Sequence, residues 1–255
     1  MRRRLFIGAC LAAGLCSQCR TWGQDSSLPK VYGCYVPAAK AKPYFGVSEG
    51  GSMVDIDKHS LKTNSASADL DYAFAQALGV LCRDFEVEPA FSYYDEGDGG
   101  RNAKATPTRL IAERPDGTVL FGLKMLSHLL DTEDNPSLAI VAVAAHEFGH
   151  IVAIKRGLQA QLVIDEAAPF RGEQFADFMC GYFAGLRHKK HNDYPAIVFA
   201  NAIRRMASPG DTSHGSASVR GRAVSQGFNA AELELDAAVQ TGFNFAMAST
   251  DQTPE

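Results

Sequence analysis

The sequence predicts an α+β fold that is mainly helical and contains a small sheet. The clearest strand-like runs lie in residues 86–122, and apolar residues recur at helical spacing along most of the chain that follows 68. No internal repeat or low-complexity linker divides it. With 255 residues, of which 46% are hydrophobic and 21% charged, the chain is long enough to bury one core.

Residues 1–23 have the layout of a secretory signal peptide. A basic start precedes the apolar stretch 5–15, which is too short to span a bilayer comfortably. The string RRLFI resembles a twin-arginine export signal, and Cys10 and Cys16 raise the alternative of a lipoprotein. Because Leu15 is too large to precede a lipidated Cys16, we expect a periplasmic or secreted protein without a lipid anchor.

Charge, cysteine content and hydropathy each exclude one property: a nucleic-acid partner, a disulfide framework and a later membrane span. The net charge of −4 and the scattered lysines and arginines give no basic surface for a nucleic acid. After the leader, the cysteines that remain are Cys34, Cys82 and Cys180. This odd number gives no disulfide framework, although a Cys34–Cys82 pair stays open. No later segment has the apolar length expected of a membrane span, so we expect a soluble mature protein.

An irregular segment at 24–66, with at most a short strand, precedes a folded domain predicted at 67–249, and the tail 250–255 is predicted to be disordered. The elements follow in order: a helix at 69–85, strands at 86–94 and 101–107, a strand running into a helix at 118–130, a central helix at 136–155, and helices at 170–187, 195–207, 216–227 and 230–247. Asn135 as a cap and Pro136 at the first helical position mark the start of the central helix.

Three ionisable residues interrupt the apolar central helix, namely His146, Glu147 and His150. Residues four apart lie on one helix face, so both imidazoles can point at one metal ion. Glu147, the residue after His146, lies beside that face, close enough to contact a metal-bound water without binding the metal. This His-Glu-x-x-His arrangement is typical of metal-assisted hydrolysis. The alternative is a pair of core histidines without a metal, each of which would need buried hydrogen-bonding partners.

A third metal ligand is expected on the following helix, because two imidazoles alone hold zinc poorly. Glu173 and Asp177 share a face there. We assign Glu173 to the metal, and Asp177 to a hydrogen bond from a ligand histidine that fixes its tautomer. The alternatives are a solvated acidic face, or a ligand from the acidic pair at 165–166. Gly181 and Gly185 continue the same face and would let this helix lie close against its neighbour, which brings Glu173 to the metal.

HEFGH at 146–150 followed by EQFAD at 173–177 resembles the gluzincin metallopeptidases, and within them the family of HtpX and the CAAX-prenyl proteases. Three further stretches agree with that family, at 101–107, 117–130 and 212–224. The chain departs from the family pattern in several respects, one of which is a short gap between the two metal motifs. Gly215 replaces the usual proline, Lys104 stands where a bulky apolar residue is common, and the membrane-spanning segments of HtpX-type proteins are absent.

The resemblance implies a zincin-like metallopeptidase domain built around the His-Glu-x-x-His helix, with one Zn²⁺ per chain. The two histidines and Glu173 would hold the ion, and Glu147 would take a proton from the attacking water. By the same resemblance, His214 and Arg220 are the candidate donors to the oxyanion that forms on the substrate.

The resemblance also implies a peptide substrate that lies extended along the strand at 101–107. Asn102 offers a side-chain amide, and Ala103 is small enough to let a peptide backbone approach. The alternative is an ordinary edge strand that Arg101 and Lys104 protect from pairing with other chains.

We therefore expect a zinc-dependent endopeptidase that acts on exported or envelope proteins. One alternative is a binding or chaperone-like protein that keeps the peptidase fold without the activity. The intact Glu147 argues against it, because zinc held for structure alone would not need this residue. A second alternative is a zinc hydrolase that acts on something other than peptides.

Overall fold

The computed structural model describes residues 34–38, 61–97, 100–164, 169–205 and 214–249. The predicted signal peptide, most of the irregular segment at 24–66 and the predicted tail lie outside the described residues. The elements are β1 (Leu61–Lys62), α1 (Ala68–Asp84), β2 (Ala90–Tyr94), β3 (Ala103–Thr106), β4 (Thr118–Gly122), α2 (Leu123–Thr132), α3 (Pro136–Lys155), α4 (Gln159–Leu162), α5 (Phe170–Lys190), α6 (Ile197–Arg205), α7 (Ala217–Asn229), a 3-10 turn (Ala230–Glu232) and α8 (Leu235–Ala248). The protein is α+β and mainly helical, as predicted.

The four strands form one sheet in the order β1–β2–β4–β3, in which β2 and β4 are parallel and the other pairs are antiparallel. Ala103 and Ala105 of β3 lie opposite two buried residues of β4 and belong to the main core. On the other side of β3, Tyr35 forms a parallel bridge to Ala105. A short N-terminal segment therefore extends the sheet beyond β3.

Strand β2 is shorter than predicted, because residues 86–89 complete the end of α1 instead. Glu86 has a φ of +52°, and the N–H of Val87 donates to the carbonyl of Cys82 at 3.0 Å. Both features turn the chain back onto the helix, so the strand begins only at Ala90.

Helix α3 runs through the core and is buried over most of its length. Asn135 precedes it as predicted, but its side chain makes no capping hydrogen bond. At the other end, Gly157 has a φ of +69°, which lets Leu158 N–H donate to Ala153 O at 2.8 Å. By length and composition α3 could cross a membrane, so the expectation that no later segment has this apolar length is wrong. Burial inside the fold accounts for its apolar character, because 78% of its most apolar 18-residue stretch is buried by the rest of the protein.

Small residues bring α5 close to two other helices. On one side, a Cβ added to Gly149 of α3 would lie 2.8 Å from the Cα of Ala176. On the other side, a Cβ added to Gly181 would lie 1.9 Å from the carbonyl oxygen of Val224 in α7. Gly181 and Gly185 thus face α7 and the turn after it. The approach that brings Glu173 towards the histidines depends on Gly149, which sequence reasoning missed.

Candidate metal centre

The candidate centre lies between α3 and α5. His146, Glu147 and His150 on α3 are all buried, with at most 1% of any of them exposed. The two imidazole rings are one turn apart, with centroids separated by 5.0 Å and planes at 85°. The helix therefore presents both rings and the carboxylate to one small region.

Glu173 in the first turn of α5 faces both imidazoles. Its Oε2 lies 3.1 Å from His146 Nε2, and its Oε1 lies 3.5 Å from His150 Nε2. Ligand atoms of these three residues and the Sγ of Cys34 all lie within 4.8 Å of one another. This buried group of one cysteine, two histidines and one glutamate could hold a metal ion.

A buried chain of polar contacts orients His146. Its Nδ1 lies 2.7 Å from Asp177 Oδ1, which is the contact predicted for Asp177. Arg220 of α7 donates from Nε and Nη2 to the two carboxylate oxygens of Asp177, each at 2.8 Å. Arg220 is wholly buried and reaches the centre through Asp177. In the structure, Arg220 thus positions Asp177, whereas the sequence predicted Arg220 as an oxyanion donor.

Two groups in the centre have polar atoms that the described residues leave without hydrogen-bonding partners. These atoms are both ring nitrogens of His150 and both carboxylate oxygens of Glu147. The Nε2 of His150 lies within ion-pair distance of Glu173 but does not form a hydrogen bond with it. Unpaired buried polar groups cost free energy. A cation bound to Nε2 of His150, with water beside Glu147, would give partners to that nitrogen and to the Glu147 carboxylate, so the residues present fit a metal.

The buried charges shift the pKa values of neighbouring groups in different directions. Burial lowers the pKa of His146, but the carboxylates of Asp177 and Glu173 outweigh burial and raise it to about 10. Burial lowers the pKa of His150 and raises that of Glu147 to about 8. For Glu173, the facing histidines outweigh burial and hold its pKa well below the usual value. An anionic glutamate and a neutral His150 are the forms that bind metal, whereas His146 would have to release a proton when a cation binds.

Cys34 is the member of the group that sequence reasoning missed. Its backbone N–H donates to Glu173 Oε1 at 2.9 Å, and its Sγ lies 3.3 Å from His214 Nε2. Burial, together with the negative charges of Glu147 and Glu173, raises the pKa of this thiol well above its usual value. The three described cysteines are free thiols, so the Cys34–Cys82 disulfide left open by the sequence is not formed.

His214 lies just before α7, with 12% of its side chain exposed, and its Nε2 is 3.4 Å from Glu173 Oε2. His214 therefore borders the centre. The sequence predicted it as a donor that faces the substrate. The next residue, Gly215, has a φ of +81°, and a Cβ there would meet the ring of Phe170 at 2.7 Å. Because proline fixes φ near −65°, this backbone explains why a proline does not occupy the position.

The predicted substrate strand borders the same centre. The Oδ1 of Asn102 lies 3.7 Å from the Sγ of Cys34. Ala105 uses both of its backbone groups on the N-terminal segment, and alternation along the strand turns the backbone groups of Ala103 to the same side. Arg101 contacts His128. The acidic pair at 165–166, an alternative source of the third ligand, lies outside the described residues.

Comparison of the chain with models of protein families, with curated proteins and with solved structures finds no match. Assignment of the centre therefore depends on its own residues and their geometry.

Proposed function

We propose that this protein is a zinc-dependent endopeptidase with a zincin-like domain, and that it acts on exported or envelope proteins. One observation carries the proposal. The ligand atoms of His146, His150 and Glu173 converge in a buried group beside Glu147, whose carboxylate has no hydrogen-bonding partner among the described residues. The gluzincin resemblance of the two helix motifs supports the same function.

Zinc suits this donor set better than the other common divalent cations. Imidazole, carboxylate and thiolate groups bind zinc in four-coordinate sites, whereas calcium and magnesium prefer shells of oxygen atoms. His146, His150 and Glu173 would hold the ion. When bound, zinc would lower the pKa of water and polarise a carbonyl group.

Glu147 is the residue that would move the proton. Burial raises its pKa to about 8, which suits a group that accepts a proton from the attacking water and returns it to the leaving amine near neutral pH. Asp177 would hold His146 in one tautomer, and Arg220 would hold Asp177 in turn. His214, which borders the centre, stays the candidate donor to the oxyanion.

The substrate would lie along the outer edge of β3 as an added strand. Ala103 and Ala105 direct backbone groups to that edge, and Asn102 lies between the edge and the centre. In this arrangement, main-chain hydrogen bonds would position a peptide carbonyl beside Glu147. The small side chains would leave room for it.

A thiol hydrolase is the second candidate, because Cys34 lies 3.3 Å from His214. A nucleophilic cysteine needs an electropositive and partly exposed setting. Cys34 instead is fully buried, and Glu147 and Glu173 disfavour its thiolate. Because its Sγ also lies among the potential metal-ligand atoms of the centre, we do not assign Cys34 as a nucleophile.

The test is metal-dependent hydrolysis of an unfolded protein substrate such as casein. The wild-type protein and Cys34→Ala should both be assayed, because Cys34 lies inside the candidate centre. Removing the metal with a chelator should abolish the activity of whichever form cleaves, and restoring zinc should recover it. Chelator-insensitive cleavage would overturn the zinc mechanism. Absence of cleavage by both zinc-loaded forms would favour the binding or chaperone-like alternative.

A further inference from the structure

Residues 34–36 place a thiol and a backbone strand in the candidate centre at the same time. The carbonyl of Cys34 accepts from Ala105 N–H at 2.8 Å, and Val36 N–H donates to Ala105 O at 2.7 Å. The segment runs parallel to β3 and occupies the edge where we place the substrate. One short stretch of the chain thus covers the substrate edge and reaches the metal ligands.

The side chain and backbone of Cys34 fit a ligand position. Its Sγ belongs to the group of ligand atoms that lie within 4.8 Å of one another. Its N–H donates to Glu173, so the backbone holds the thiol beside another proposed ligand. Two neutral imidazoles, one carboxylate and one thiolate would balance the charge of a divalent cation, which favours such a set in a fully buried site.

We propose that the thiolate of Cys34 is the fourth ligand of this centre and that residues 34–36 keep the site closed, so that the chain is latent until this segment leaves β3. The inference deepens the proposed peptidase function and rests on it. Zinc sites with four protein ligands are typically structural, whereas catalytic sites keep one position open for water or substrate. Departure of Cys34 opens that position, and departure of its neighbours frees the strand edge.

X-ray absorption at the zinc edge tests the ligand directly. The wild-type protein should show one sulfur neighbour at about 2.3 Å, and Cys34→Ala should show only nitrogen and oxygen neighbours. Cys82→Ala is the matched control, because Cys82 is also a free thiol but lies outside the centre, and it should keep the sulfur signal. A wild-type spectrum without sulfur, or a Cys34→Ala spectrum with it, would overturn the assignment.

Binding of a peptide hydroxamate, a zinc-chelating probe, tests the closure without turnover. The dissociation constant for Cys34→Ala should be lower than that of the wild type by at least about tenfold, because the open form is a minor population in the latent chain. Val36→Pro keeps the thiol but removes one hydrogen bond to β3, so it should also bind the probe more tightly. This variant tests the closure if Cys34→Ala does not fold. Equal affinity in the wild type and the folded variants would overturn the closure.

Peptide hydrolysis then separates this inference from the proposed function. Faster hydrolysis by Cys34→Ala than by the wild type supports both. Equal hydrolysis by the two overturns latency and leaves the peptidase assignment standing. A wild-type sulfur signal and tighter hydroxamate binding in Cys34→Ala, without hydrolysis by any form, support the ligand and the closure and overturn the peptidase.

Discussion

The candidate centre has two halves that are held in different ways. The helical half consists of α3, α5 and α7 and supplies His146, His150 and Glu173. Its helices approach so closely that Gly181 leaves no room for a Cβ against the backbone of α7. The strand half consists of residues 34–36, whose contacts include two backbone hydrogen bonds to β3, the contacts of Cys34 and the buried side chain of Val36.

This difference separates a permanent part of the site from a removable one. Displacement of any helix in the first half would expose core residues, and displacement of α5 or α7 would also break the Asp177–Arg220 pair. Departure of the strand half would break the hydrogen bonds of one short segment, whose groups water can then satisfy, and would expose the buried side chains of Cys34 and Val36. We infer that the helical half determines whether the centre exists, and that the strand half determines whether it is open.

Glu147→Gln should have the largest effect, and it acts only on the helical half. In a Cys34→Ala background, the change should lower kcat/KM for peptide hydrolysis by about 100- to 10,000-fold, because the general base is lost while all the proposed ligands remain. Zinc content and the unfolding midpoint should not change. If the variant loses its zinc, then Glu147 is itself a ligand and the role assigned to it is wrong.

Asp177→Asn should weaken zinc affinity by about 10- to 100-fold, because it removes the carboxylate that orients His146. Arg220→Met should also weaken it, but only through Asp177, so the double variant should bind zinc no more weakly than Asp177→Asn alone. Competition with a chelator measures all three affinities. Arg222→Met, at an exposed position on the same helix, is the control. Additive losses would contradict the positioning role of Arg220.

Gly181→Ala should lower the free energy of unfolding by about 3 kcal/mol, because the added Cβ would meet the backbone of α7 and force the helices apart. Gly79→Ala is the matched control, since nothing lies within 4 Å of its added Cβ in α1. The control should raise stability by about 0.5–1 kcal/mol. Denaturant unfolding of both variants makes the comparison. If Gly181→Ala leaves the free energy of unfolding unchanged, then α5 and α7 pack less closely than we describe.

Val36→Pro should have the smallest effect on stability, a loss of about 1–2 kcal/mol, because it removes one hydrogen bond and changes one buried side chain in a segment that can detach. The same denaturant experiment measures it. A loss as large as that of Gly181→Ala would show that the strand half is part of the folding core. The division into a permanent and a removable half would then fail.

The helical half was largely predictable from the sequence, because its signals are local. The i, i+4 spacing places His146 and His150 on one face, and the same spacing links Glu173 to Asp177. The helix boundaries follow from apolar periodicity and from end signals such as Pro136. The role of Gly149 was missed, because one small residue inside an apolar run does not identify the helix it faces.

The strand half was not predictable in the same way. Cys34 meets Glu173 across 139 residues of sequence, and its flanking segment has no periodicity that predicts a strand. A single buried thiol looks the same in sequence whether it packs in a core or binds a metal. Likewise, the contact of Arg220 with Asp177 depends on how α7 packs on α5, which residue spacing within one helix cannot define.

The zinc content of the purified protein tests the central claim most directly. Inductively coupled plasma mass spectrometry should find about one zinc per chain in the wild type, because the helical half supplies three ligands to one site. His191→Ala, which changes an exposed histidine at the end of α5, should keep that zinc, and His150→Ala should lose most of it. Equal zinc in all three proteins would contradict the metal centre.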